Sequence, residues 1–360
     1  MKVNTDPVVL KPARQLPASY WKLGIMGLLL LFLFTMDVAL GSIPIPFKNI
    51  LGILFSPSSE SEAWVYIVKN IRIPKAIAAV ITGCGLSVAG LQMQTLFRNP
   101  LAGPSVLGLT AGASLGVALV MLSAGSITTL FTIKELSISG SWLVIAASSL
   151  GAAFIMLIIV FLSARLKDNV IMLIVGVMIG NITLSIISIW QYFSAPEQVK
   201  DYLVWTFGSL GGVSGNQLYL LVSAVVVGLV IAFLSSKQLN TLLLGDAYAR
   251  TMGLTINRAR LLIVTSTSIL AGSITAFCGP IGFVGIAVPH LTRSLFNTSD
   301  HRILIPCCCL IGTSLMLVCD IIAQLPGSQS VLPINVITTL IGSPVVIWVI
   351  LTRNNIKSTL

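Results

Sequence analysis

The sequence predicts an all-α membrane protein of about ten transmembrane helices, arranged as two inverted five-helix halves. Three observations predict it. First, 56% of the 360 residues are hydrophobic and only 9% are charged. Soluble domains carry about 25% charged residues, and a soluble chain this apolar would expose large patches and aggregate. Second, apolar stretches of about 20 residues recur, the length of helix that crosses a bilayer core. Such stretches must be helical, because irregular backbone facing lipid leaves its polar groups unpaired. Third, Lys and Arg segregate between alternate connections. With the N-terminus inside, fifteen fall on cytoplasmic segments and six on outer ones, Lys48, Lys69, Arg72, Lys75, Lys134 and Lys200. That bias places both termini in the cytoplasm.

The elements follow in order. Residues 1–22 read as a cytoplasmic tail carrying Lys2, Lys11, Arg14 and Lys22. The run 23–41 is longer than a secretory h-region, and Asp37 and Pro44 follow without a clear small-residue cleavage site, so it reads as a retained first span. Further spans are expected near 75–96, 105–123, 141–163, 170–193, 217–235, 259–277, 282–296, 303–323 and 333–351. The eighth is short and contains Pro289, so it is expected to be broken or buried within the bundle. Residues 202–212 read as a further short helix lying outside it. One transmembrane domain therefore occupies 23–352, and 353–360 form a second cytoplasmic tail. Ala89-Gly90 precedes Ala271-Gly272 by 182 residues, and Gly103 precedes Gly285 by the same interval. An offset of five spans inverts the second half relative to the first, a common transporter architecture.

Composition also excludes function classes. The net charge of +10 arises from single basic residues between apolar runs, which fits loops facing an anionic leaflet and not nucleic acid. No phosphate loop of the form G-x-x-x-x-G-K-[ST] is present, so ATP hydrolysis is not expected of this chain. Asp37 and Asp320 are the acidic groups nearest the spans, both toward outer ends, whereas an ion-coupled carrier needs a mid-membrane relay. Energy is therefore expected from a partner, with an ion-gradient-driven secondary transporter as the alternative. The six cysteines lie in apolar stretches. Cys307-Cys308-Cys309 point about 100° apart on a helix and close no metal site, so no metal or resident cofactor is expected.

Several segments carry candidate chemistry. The longest cytoplasmic loop contains 242–253, where Gly245 and Asp246 start a short helix and Gly253 ends it. Ala247, Tyr248, Ala249 and Met252 give it a small, partly apolar surface suited to a groove on a cytosolic partner. An interfacial helix on lipid would be richer in Lys and bulky apolar residues. Asn181, Ser185, Ser188 and Tyr192 share one face of span five, and Thr338 and Gly342 make a smaller stripe on span ten. Polar residues on one face either line a wet cavity or bond a neighbouring helix, and spacing alone leaves both open. His290 is either a haem or iron ligand or the donor of a structural hydrogen bond. Gly282, Gly285 and Pro289 read as backbone devices, for close helix approach and a kink. Arg72 and Lys75, taken alone, read as cations snorkelling to the interface.

The pattern Gly245-Asp246-x-x-Ala249-Arg250-x-x-Gly253 resembles the coupling helix of FecCD/BtuC-type permeases, the membrane subunits of ABC importers for iron–siderophore complexes, haem and cobalamin. Asn99-Pro100-Leu101-Ala102, Gly279 to Gly285 with Val288-Pro289-His290, Asp300-His301-Arg302, Leu332-Pro333 with Gly342-Ser343-Pro344, Arg72-Ile73-Pro74-Lys75 and Phe207 to Gly212 resemble further segments of that family, in order. The resemblance implies a type II importer: two permeases, identical or paralogous, with the pathway on their two-fold axis. It implies two cytosolic ABC ATPase subunits that bind ATP and Mg, and an external substrate-binding protein. It implies Gly245, Asp246, Ala249, Arg250 and Gly253 as the ATPase contact, and Arg72 and Lys75 as outer cations docking acidic residues of the binding protein. It turns span five toward lining the pathway, which makes Asn181, Ser185, Ser188 and Tyr192, with Thr338, the pathway-lining candidates, and it implies an inner gate at Asn99 and Leu101, near Lys167-Asp168-Asn169. Gln324 stands where relatives often carry a further basic residue. Iron–siderophore is the first expected cargo, haem the second and cobalamin the third, carried across a bacterial cytoplasmic membrane.

Overall fold

The structure, a computed structural model, describes residues 20–41, 43, 45–55, 61–122, 139–165, 169–324 and 331–357. Most of the N-terminal tail, Pro44, Lys134 and Lys167-Asp168 lie outside the described residues. Helix α1 covers Tyr20–Ala39 and α2 Phe47–Phe55; α3, Glu62–Ile67, runs through a π turn at Val68–Arg72 into α4, Ile73–Phe97. A 3₁₀ turn at Pro104–Leu107 leads to α5, Leu109–Leu122, followed by α6, Ser139–Arg165, and α7, Asn169–Phe193. Then come α8, Pro196–Thr206, α9, Gly215–Leu234, α10, Ser236–Leu243, and α11, Asp246–Thr251. The chain closes with α12, Ile256–Cys278, α13, Val284–Phe296, α14, His301–Ala323, and α15, Ile334–Lys357.

Each expected span contains a helix: α1, α4, α5, α6, α7, α9, α12, α13, α14 and α15. Among the described residues, six helical stretches are long and apolar enough to cross a membrane by length and composition. Two boundaries differ from expectation. The short helix expected at 202–212 is α8, which starts at Pro196, a residue suited to a first helical turn. Its chain then turns at Gly208, whose φ is +72°. The coupling helix, bounded at 242–253, is the shorter α11, Asp246–Thr251, which starts after Gly245, φ +110°, as the Gly-Asp pair predicts, while residues 242–243 end α10. Helices α2 and α3 carry too few consecutive apolar residues to read as spans.

Helices α4 and α12 form the centre. The most apolar window of the α3–α4 stretch is 78% buried and that of α12 67%, against 22% for α7. Helix α4 packs on α14 and α13, and α12 packs on α6 and α9. The central pair are spans two and seven, equivalent positions in two five-span halves. Between apolar helices in lipid, close van der Waals contact supplies much of the attraction, so small residues sit at crossings. At the α4–α13 crossing a Cβ on Gly90 would lie 1.7 Å from the Gly285 carbonyl oxygen. Polar side chains also bridge the two central helices: Gln92 of α4 donates to Ser266 of α12 at 3.1 Å and accepts from Thr267 at 3.1 Å.

Alternating helices sort the chain ends into two opposite clusters. At one lie the ends of α1, α12 and α14 and the starts of α4 and α15. At the other lie the ends of α4 and α13, the starts of α1, α7, α12 and α14, and α10 with α11. Lys22 Nζ, for instance, donates to the Leu295 carbonyl at 3.2 Å.

Candidate functional site

The second cluster is built around the end of α4. Helix α11 leaves Gly245 and closes at Gly253, φ +82°. There the Leu254 amide donates to the Ala249 carbonyl at 3.0 Å and the Gly253 amide to the Arg250 carbonyl at 3.0 Å, the paired bonds of a Schellman stop. Ala249 is buried under the helix, while Tyr248, Arg250 and Met252 face outward. Asp246 meets Arg98, whose Nη2 donates to Asp246 Oδ1 at 3.1 Å and to the Leu242 carbonyl at 3.2 Å. Arg98 was only one cation among many in the sequence; its pairing depends on the fold.

Arg98 also starts the expected gate. Asn99 Oδ1 accepts from the Leu101 amide at 2.9 Å, and Leu101 is 46% exposed. His290, buried in α13, places Nε2 2.8 Å from the Pro100 carbonyl, which makes that nitrogen the donor. Pro289 lies within α13, and Gly282 donates its amide to Asn335 Oδ1 at 3.0 Å. Asn169, the first residue of α7, donates to the Leu96 carbonyl at 3.0 Å and accepts from buried Arg260 Nη2 at 2.5 Å. Asn240 of α10 donates to Asp300 Oδ1 at 2.7 Å, and the Arg302 amide donates to the same oxygen at 2.9 Å. Burial alone would raise the Asp300 carboxyl, but these two donors and the nearby Arg302 charge hold it below the usual carboxylate range.

The first cluster holds Arg72 and Lys75 but does not present them freely. Arg72 is 7% exposed, and its guanidinium donates to the carbonyls of Val38 at 3.0 Å, Ala39 at 2.8 Å and Ile43. It ties down the last turn of α1, where carbonyls have no helical partner. Lys75 pairs with buried Asp320 at 3.0 Å. Gln324 Nε2 donates to Asp37 Oδ1 at 3.0 Å and Asp320 Oδ2 at 3.1 Å. Helix-end carbonyls thus engage Arg72 and the Asp320 carboxylate engages Lys75, so neither cation stands free at this end of the bundle. Beside them opens a largely apolar cavity of about 570 Å³ between the 207–211 turn, Ile67 and Ile71, and residues 331–334.

On α7 the four polar residues expected together do share one exposed face, and Tyr192 is 83% exposed. Ser185 and Ser188 return their hydroxyls to the carbonyls of Asn181 and Leu184, at 2.9 and 3.0 Å. Thr338 departs from this set. It is 2% exposed and donates to the Asn335 carbonyl at 3.1 Å. Gly342, one turn on, packs against Phe283, so this stripe of α15 meets the 279–283 loop and not an open face. Among the described residues no group of three or more His, Cys, Asp or Glu side chains is placed to hold a metal ion.

Comparison with known proteins adds to this geometry. Residues 29–352 match the model of the FecCD transport family. The hemin transport system permease protein HmuU of Yersinia pestis is 32% identical over 337 residues, covering 93% of this chain and 97% of that protein. The vitamin B12 import system permease protein BtuC of Escherichia coli O6:H1 is 35% identical over 301 residues, covering 83% and 86%. Among solved structures, an inward-facing metal-chelate type ABC transporter superposes with a TM-score of 0.79 at 23% identity, covering 92% of this chain and 99% of that one.

Proposed function

This chain belongs to the FecCD transport family and is a membrane permease of the ABC importer type; we propose that it moves an iron chelate by ATP-driven alternating access. Iron–siderophore is the first cargo proposed, with haem and cobalamin, named for relatives such as the hemin and vitamin B12 permeases, behind it. Two such permeases, identical or paralogous, flank the pathway, and the exposed polar face of α7 lines it. Fixed charge is absent from Asn181, Ser185, Ser188 and Tyr192, which suits a bulky cargo that must slide and not be gripped. ATP and Mg are bound by two cytosolic ATPase subunits, and cargo arrives on an external binding protein. The chain sits in a bacterial cytoplasmic membrane with both termini inside.

The single observation that carries this reading is α11, a short capped helix at the chain-end cluster that also holds the expected gate. It exposes Tyr248, Arg250 and Met252 to a partner and passes Asp246 to Arg98. The test is capture of the solubilised permease from cells, followed by uptake of labelled iron–siderophore, haem and cobalamin. Recovery of a phosphate-loop ATPase with uptake of one chelate supports the reading. Recovery of the permease alone, with none of the three transported, overturns it.

A further inference from the structure

We infer that Arg98 is the positioning residue through which displacement of α11 reaches the 99–103 gate loop. The inference rests on the importer reading above and deepens it. Three observations carry it.

Arg98 ends α4 in the left-handed conformation, with φ +46° and ψ +33°. That region costs an L side chain about 1–2 kcal/mol, and helix ends that use it favour Gly or Asn. A residue kept for backbone geometry alone would be Gly, so the side chain accounts for the arginine. That side chain spans a joint. One nitrogen, Nη2, holds the Leu242 carbonyl in α10 and the Asp246 carboxylate in α11, on either side of Gly245. Gly245 completes the fit, because a Cβ there would stand 3.3 Å from the same nitrogen.

Beyond Arg98 the loop is held where His290 donates to the Pro100 carbonyl at 2.8 Å and again at buried Ala102. Movement of α11 therefore pulls on residue 98 while α13 anchors residue 100, and the chain turns about that anchor, next to which exposed Leu101 sits.

The decisive variant is Arg98→Gly. It preserves, and relaxes, the left-handed turn while removing the bridge. The readout is labelling of a Leu101→Cys reporter by a bulky thiol reagent in lipid nanodiscs. The permease is assembled with its ATPase subunits, with and without a trapped ATP analogue, and the chain lacking the reporter serves as the blank. Trapping nucleotide is expected to change the labelling rate on the wild-type background. Arg98→Gly is expected to abolish that change while assembly, melting temperature and ATP hydrolysis persist. Arg98→Asp is expected to do the same, and Arg98→Asp with Asp246→Arg to restore it. A nucleotide effect in Arg98→Gly equal to wild type would overturn the inference, as would failure of the double swap to restore an effect lost in Arg98→Asp. Loss of assembly with an ATPase already in the wild type overturns the importer reading itself, and the inference with it.

Discussion

Arg72 and His290 illustrate how one side chain decides a local structure. Arg72→Ala leaves the carbonyls of Val38, Ala39 and Ile43 without their donor, and an unpaired buried polar group costs about 1–3 kcal/mol. A lower melting temperature in detergent is the expected result, and an unchanged melt with weaker binding-protein affinity would return Arg72 to a docking role. His290→Ala likewise strips the Pro100 carbonyl, with a similar loss of stability in the same melt. Asp300 adds a pH dependence. Its folded carboxyl titrates below the usual value, so its stabilisation is complete above the unfolded value and lost as pH falls through the folded one. Asp300→Ala should cost about 0.5–2 kcal/mol at neutral pH and flatten the acid limb of a melting-temperature profile. The sequence offered the hydrogen-bonding role of His290 as one of two readings, but nothing of the Arg72 contacts. Arg72 stood out as a cation, but its partners arrive from residues 38–43, and no periodicity reports such a contact.

At the scale of elements, helix existence was legible and helix ends were less so. Every expected span contains a helix, because a membrane imposes length and apolarity directly on sequence. The start of α11 at Gly245-Asp246 was legible, whereas nothing in the sequence showed that Leu242 and Leu243 end a separate helix, α10. Thr338 was placed on an open face because spacing reports which residues share a side and not what covers that side. The crossing of α4 and α13 gives the sharpest element-level prediction. Gly90→Ala sets a methyl group 1.7 Å from the Gly285 carbonyl oxygen. Overpacking of this kind costs typically about 1–3 kcal/mol, and backbone is a poor candidate to yield. Reduced yield of folded protein in size-exclusion chromatography is expected, and a wild-type profile would mean the two helices do not meet so closely.

For the whole molecule, the two end clusters divide the labour. One gathers α11, Arg98 and the 99–103 loop; the other gathers Arg72, Lys75, Asp37, Asp320 and the adjoining cavity. Arg250 is exposed on α11. Arg250→Glu is expected to leave the helices folded, as read by circular dichroism, while uptake falls away from ATP hydrolysis. Family membership was legible in ordered short segments, whereas cargo was not, because no residue in the sequence distinguishes one chelate from another. The most direct measurement is uptake into vesicles carrying the permease with its captured ATPase, with nucleotide and ion gradients varied independently. A powered permease predicts accumulation that requires ATP on the α11 side and binding protein on the other, and that survives collapse of proton and sodium gradients. Accumulation without nucleotide, driven by an imposed ion gradient, would contradict it.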